Sequence, residues 1–79
     1  MKVLFFAQLQ AVTGTAECDL ALRGPVRERD LWELLETAFP GLSRWQASTR
    51  IARNMAYADE GAEFVDTDEI ALIPPVSGG

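Results

Sequence analysis

The residue pattern predicts one small α+β domain in the order β-β-α-β-β, ending in a thin carboxy-terminal tail. Three observations carry that expectation. Short apolar runs with β-forming residues lie near both ends of the chain. One amphipathic stripe at helical spacing sits between them. The last apolar run gives way to Pro74-Pro75-Val76-Ser77-Gly78-Gly79. Seventy-nine residues, 48% apolar and 24% charged, suit a single globule near the lower size at which a core sustains itself without staples.

The opening run Met1–Ala7 (MKVLFFA) reads as a strand, because aliphatic and aromatic residues crowd it without a turn signal. Gln8–Ala16 is small and polar and reads as a loop with Gly14 as its turn. Glu17–Leu22 alternates, placing Cys18, Leu20 and Leu22 on one face of a second strand that Gly24-Pro25 closes. A helix is expected over Leu31–Phe39. Asp30 would be its N-cap, and Glu33 would complete a capping-box pattern. Leu31, Leu34, Leu35 and Ala38 would form its apolar stripe. Pro40-Gly41 ends it, since the residue before proline is driven out of the α region.

Leu42–Thr49 is a polar connector carrying Trp45, with room for a helical turn. Arg50–Ala58 reads as a third strand with imperfect alternation, followed by a turn at Asp59-Glu60-Gly61. Glu63–Val65 is a short strand or bridge. The acidic turn Asp66–Glu69 launches a last strand over Ile70–Ile73. The expected division is a folded domain over residues 1–73 and a flexible tail over 74–79.

The strands carry more apolar surface than one helix can cover. Val3 and Phe5 point one way in the first strand while Leu4 and Phe6 point the other. In the last strand Ile70 and Leu72 oppose Ala71 and Ile73. A face left over beside the tail would be a docking surface, with Phe6, Tyr57 and Ile73 as candidates. Local packing is the alternative for each.

Net charge is −5, from twelve acids against seven bases, which disfavours nucleic acid and suits either solubility or a basic partner surface. One cysteine cannot form an internal disulfide or a thiolate metal site, and Cys18 reads as a small core residue. Its lone thiol and the lack of a leader-like start point to a reducing, cytoplasmic setting. No stretch approaches the roughly 20 apolar residues of a membrane span. Histidine is absent, removing the usual neutral-pH base and the commonest metal ligand. Asp66, Asp68 and Glu69 fit a solvated turn better than a cation site. No metal and no permanently bound cofactor are expected.

That leaves the tail. Gly78 and Gly79 have no side chains, so the backbone can enter a narrow active site. Pro74 and Pro75 favour an extended approach. From Pro74 onward the segment spans roughly 20 Å at about 3.3 Å per residue. A carboxylate at Gly79, ionised at neutral pH, is a poor electrophile until a nucleotide activates it. After adenylation it could accept sulfur or an amine, and the two glycines do not choose between these fates.

LFFAQL near the start and DTDEIALIPPVSGG at the end resemble the molybdopterin synthase small-subunit family, over nearly the whole chain and including Asn54. The resemblance implies a ubiquitin-like β-grasp fold, with a mixed sheet packed on one main helix. It implies a sulfur carrier for molybdenum cofactor synthesis. An activating enzyme using ATP would adenylate Gly79, and a sulfur donor system would convert it to a thiocarboxylate. The tail (Pro74, Pro75, Val76, Ser77, Gly78) would enter the large catalytic subunit, where Gly79 gives sulfur to cyclic pyranopterin monophosphate. The implied assembly has two small and two large subunits. Its docking surface corresponds to Phe6, Tyr57 and Ile73.

Some positions depart from the family pattern. Gln10-Ala11 stands where an Arg-Glu pair is common, Thr67 replaces a turn glycine, and Arg53 occupies an often apolar strand position. None touches the tail. A ubiquitin-like protein modifier, a sulfur carrier for thiamine thiazole synthesis and a plain binding module remain the alternatives. Lys2, the only lysine, leaves one attachment point for lysine-linked chains.

Overall fold

The opening run forms β1, Lys2–Phe5, in a computed structural model that describes residues 1–59 and 61–75. A second strand, β2 (Glu17–Asp19), lies antiparallel to it, with Val3 opposite Cys18. Between them the segment read as a loop contains a short helix, α1 (Leu9–Thr13). Leu9 is fully buried and Val12 packs against the core, so the pair anchors this turn of helix. Gly14, at φ +77°, ends it in the left-handed conformation that glycine adopts without strain. Thr13 Oγ1 donates back to the Leu9 carbonyl at 3.0 Å.

A two-residue strand, β3 (Val26–Arg27), leads directly into the main helix, α2 (Glu28–Ala38). That helix starts earlier than the capping pattern suggested. Arg27 occupies the N-cap without a side-chain hydrogen bond, and Asp30 lies inside the first turn. Glu28 and Asp30 there meet the positive end of the helix dipole, which replaces the expected capping box. The buried face is also rotated. Leu31, Trp32 and Leu35 are buried, whereas Leu34 is 41% exposed and Ala38 faces solvent. Trp32 offers more apolar area than Leu34, so burying it governs how the helix rolls onto the sheet. Phe39 follows, its ring edge-on to Phe5 at 5.3 Å between centroids.

Pro40–Ser48 forms a 3-10 segment that buries Leu42 and half-buries Trp45. The region read as one third strand is a hairpin of β4 (Arg50–Arg53) and β5 (Ala56–Tyr57). Its two-residue turn, Asn54-Met55, explains the poor alternation. β6 (Glu63–Phe64) pairs with β3 in a small separate ladder, and β7 (Glu69–Ile73) is the last strand.

The main sheet has the order β2-β1-β7-β4-β5. β7 runs parallel to β1 and antiparallel to β4, so the strand that leads to the tail is central. Val3, Phe5, Ile51, Ile70 and Leu72 fill the inner face beneath α2. Arg53 lies on the same side of β4, and a specific set of contacts holds it there. Its guanidinium donates to the Glu63 carbonyl and lies 5.7 Å over the Phe64 ring. The arginine that interrupts the apolar pattern thus ties the main sheet to the small one.

Candidate functional site

Register decides what the other face presents. Leu4 lies opposite Ala71, Ala71 opposite Ala52, and Ala52 opposite Tyr57. Alternation puts these side chains together on the side away from α2. Phe6 continues β1 beyond its last assigned residue, its N–H donating to the Leu72 carbonyl at 3.4 Å. Ile73 ends β7 on the same face, opposite Arg50.

The result is a shallow apolar groove of about 520 Å³ lined by Leu4, Phe6, Ala52, Met55, Ala56, Tyr57, Glu69, Ala71 and Ile73. Phe6 is 44% exposed and Tyr57 56%. No helix or loop of the described residues forms a second layer here. Phe6, Tyr57 and Ile73, the three candidates taken from the sequence, therefore share one open surface. Sequence reasoning missed Ala52, Met55, Ala56 and Glu69 as parts of this surface. An Asn-Met pair carries no glycine to signal a tight turn.

The groove has charged ends. Lys2 Nζ meets Glu17 at 3.1 Å, and that hydrogen bond, reinforced by the carboxylate charge, raises the lysine pKa above its ordinary value. At the end where β7 leaves the sheet, the Arg50 guanidinium lies 4.1 Å over the Tyr57 ring. Such stacking over the ring face favours one orientation of the ring. Pro74 is buried at the end of β7 and Pro75 is exposed. Val76, Ser77, Gly78 and Gly79, which the sequence reading placed in the tail, lie outside the described residues.

The hairpin rim is pinned from below. Asn54 Oδ1 accepts the Glu69 N–H at 3.0 Å, and its amide donates to Asp68 Oδ1 at 3.2 Å. Its own N–H reaches the Glu69 carbonyl at 2.8 Å. Asp68 in turn accepts the Val65 N–H at 2.8 Å. The acidic turn thus uses Asp68 to close itself and to hold the hairpin. Among the described residues, no cluster of three or more metal-ligating side chains exists. Cys18 is half-buried on the core side of β2, where burial pushes its thiol pKa up and away from a nucleophilic thiolate.

A mixed five-stranded sheet with parallel first and last strands, packed on one main helix, is the ubiquitin-like β-grasp architecture. The ThiS family matches residues 3–79, and the chain belongs to it. A human relative, the molybdopterin synthase sulfur carrier subunit, is 32% identical and aligns over 100% of this chain and 93% of its own. The crystal structure of small archaeal modifier protein 1 from Haloferax volcanii is similar at TM-score 0.83 and 30% identity, covering 96% of this chain and 97% of its own. A chain from the protein–protein complex of subunits 1 and 2 of molybdopterin-converting factor of Helicobacter pylori 26695 is similar at TM-score 0.72 and 26% identity. That alignment covers 99% of this chain and 96% of that one. No helix of the described residues is long and apolar enough to cross a membrane.

Proposed function

We propose that this chain is the sulfur-carrier subunit of a molybdopterin synthase, acting in the cytoplasm. One observation carries the reading: the central strand β7 lines an apolar face left open by the described residues and leads into Pro74 and Pro75, after which the sequence carries Gly78-Gly79. Docking and delivery are thereby linked in a single rigid strand. A partner seated on Phe6, Tyr57 and Ile73 also meets the end of β7, from which the chain continues into Pro74 and Pro75. The full-length similarity to a sulfur carrier subunit supports the same assignment.

The chemistry is supplied by partners. An activating enzyme joins the Gly79 carboxylate to the α-phosphate of ATP, releasing pyrophosphate. Hydrosulfide supplied by the donor system then displaces AMP, leaving a thiocarboxylate. The large subunit accepts the tail, and sulfur passes to cyclic pyranopterin monophosphate in a complex of two small and two large subunits. This chain's own contribution is positioning: glycines thin enough to enter, prolines that keep the approach extended, and a docking face that sets the reach.

The test uses the full chain with its activating enzyme, ATP and a sulfur donor. The expected product is heavier by one oxygen-to-sulfur exchange at Gly79 and transfers its sulfur when the large subunit and substrate are added. Removing Gly79 should abolish transfer and leave the fold unchanged. A truncated chain that still transfers sulfur would overturn the reading.

Similarity to an archaeal modifier protein favours one second reading, covalent attachment of Gly79 to amines of other proteins. High-mass adducts that disappear on removal of Gly79, without thiocarboxylate-dependent sulfur transfer, would select it.

A further inference from the structure

The tip of the β4–β5 hairpin combines two features that stability alone would remove. Asn54 and Met55 both have positive φ, +49° and +72°. A two-residue hairpin turn with this sign pattern is served best by Asn-Gly, because the second position disfavours any Cβ. Asn54 suits its place, since asparagine tolerates the left-handed region and its amide is tied to Asp68 and Glu69. Met55 does not. It is also 96% exposed, the highest value among the large apolar side chains exposed here. Among the described residues the side chain has almost no packing that could offset the strain.

Its position supplies a reason. Met55 stands at the rim of the apolar groove, beside Tyr57 and Ala56 on the edge strand. Met55 lines the same groove as Phe6, Tyr57 and Ile73, so the docking face is continuous with this rim. A methionine side chain is unbranched and polarisable, and it fits apolar pockets of varied shape. From strain, exposure and continuity with the docking face, we infer that Met55 is an adaptable apolar anchor. The turn holds it out to enter an apolar pocket of the large-subunit partner. The inference rests on the docking reading above and adds to it a residue that determines affinity.

Because strain and anchoring have opposite consequences, one substitution separates them. Met55→Gly should relieve the turn and raise the melting temperature by about 2–5 °C. The same change should weaken binding of the full chain to the large subunit about tenfold or more in calorimetric titration. Met55→Ala keeps the strained backbone and should lose affinity similarly with little change in melting. Met55→Leu should bind within about threefold of the wild type.

Wild-type binding that Met55→Gly leaves unchanged would overturn the anchor and spare the docking face. Affinity lost only in step with a lowered melting temperature would reduce Met55 to a structural residue and overturn it too. A wild-type chain that fails to bind the large subunit would overturn both readings. Self-association abolished by Met55→Gly would assign the rim to a second copy of this chain and likewise overturn the proposal.

Discussion

The two faces of the main sheet come from the same strands, residue by residue in alternation, yet they meet different fates. Val3, Phe5, Ile70 and Leu72 are at most 1% exposed beneath α2. Leu4, Phe6, Ala71 and Ile73 are their immediate neighbours, and they line an open groove. Composition hardly separates the sets, since both are aliphatic and aromatic. What separates them is that the described residues provide one covering layer for two apolar surfaces. The inner face carries the fold, and the outer face is free to carry an interaction.

The largest test of that contrast is Leu72→Ala. Leu72 is fully buried in the central strand and paired on both sides, so truncation removes transfer energy and leaves a cavity, at a cost of about 3 kcal/mol. A domain of this size is stable by roughly 5–10 kcal/mol, so urea unfolding should shift strongly. A loss under about 1 kcal/mol would mean that the inner face is not the main source of stability.

Phe6→Glu should invert the pattern. At 44% exposure the ring contributes little to folding, and stability should change by no more than about 1 kcal/mol. A carboxylate placed in the apolar groove should instead weaken large-subunit binding by about 2 kcal/mol, roughly thirtyfold. Unchanged affinity in a titration would remove the outer face from the interface. A collapse in stability would show that both faces hold the fold.

Much of this contrast was legible in the sequence. The strict alternation of Val3-Leu4-Phe5-Phe6 and Ile70-Ala71-Leu72-Ile73 gave both faces directly, because strand period is fixed at two. The main helix was legible in existence but not in roll. Its stripe could be drawn through Leu34 or through Trp32, and only packing against the sheet decides for Trp32. The short helix α1 was hidden because five residues show little more than one turn of periodicity, and its stability comes from burying Leu9. The hairpin tip was hidden for the opposite reason. Met55 violates the turn preference that would have announced it. β3 and β6 are two residues each, too short for any pattern, and exist through pairing with each other.

A smaller effect tests how the outer face keeps its shape. Asn54→Ala removes the side-chain bonds to the Glu69 N–H and to Asp68. It also leaves alanine in a left-handed position. The cost should be about 1–2 kcal/mol in chemical denaturation. Amide exchange should quicken selectively at Ala58, whose N–H donates to Ile51 across the hairpin. If exchange instead rises evenly over the sheet, the Asn54 network supports the whole fold and not the hairpin rim in particular.

The smallest expected effect concerns acid. Asp66 belongs to neither face; it accepts the Leu22 N–H at 2.9 Å and lies 3.1 Å from the Met1 amine, pinning the start of β1 to the loop after β2. The Leu22 hydrogen bond, then the amine, holds its carboxyl pKa below the ordinary value of 3.8. A carboxylate with a depressed folded pKa adds stability above its unfolded pKa, and that stability is lost as pH falls through the folded value. The wild type should therefore melt above Asp66→Asn at neutral pH, with the two curves converging below about pH 4. Because the carboxylate is exposed to solvent, the gap should be small and should narrow in high salt. Parallel melting curves from neutral to acid pH would show that this contact orders the chain's start without stabilising it. The acid sensitivity of the fold would then have to come from carboxylates elsewhere.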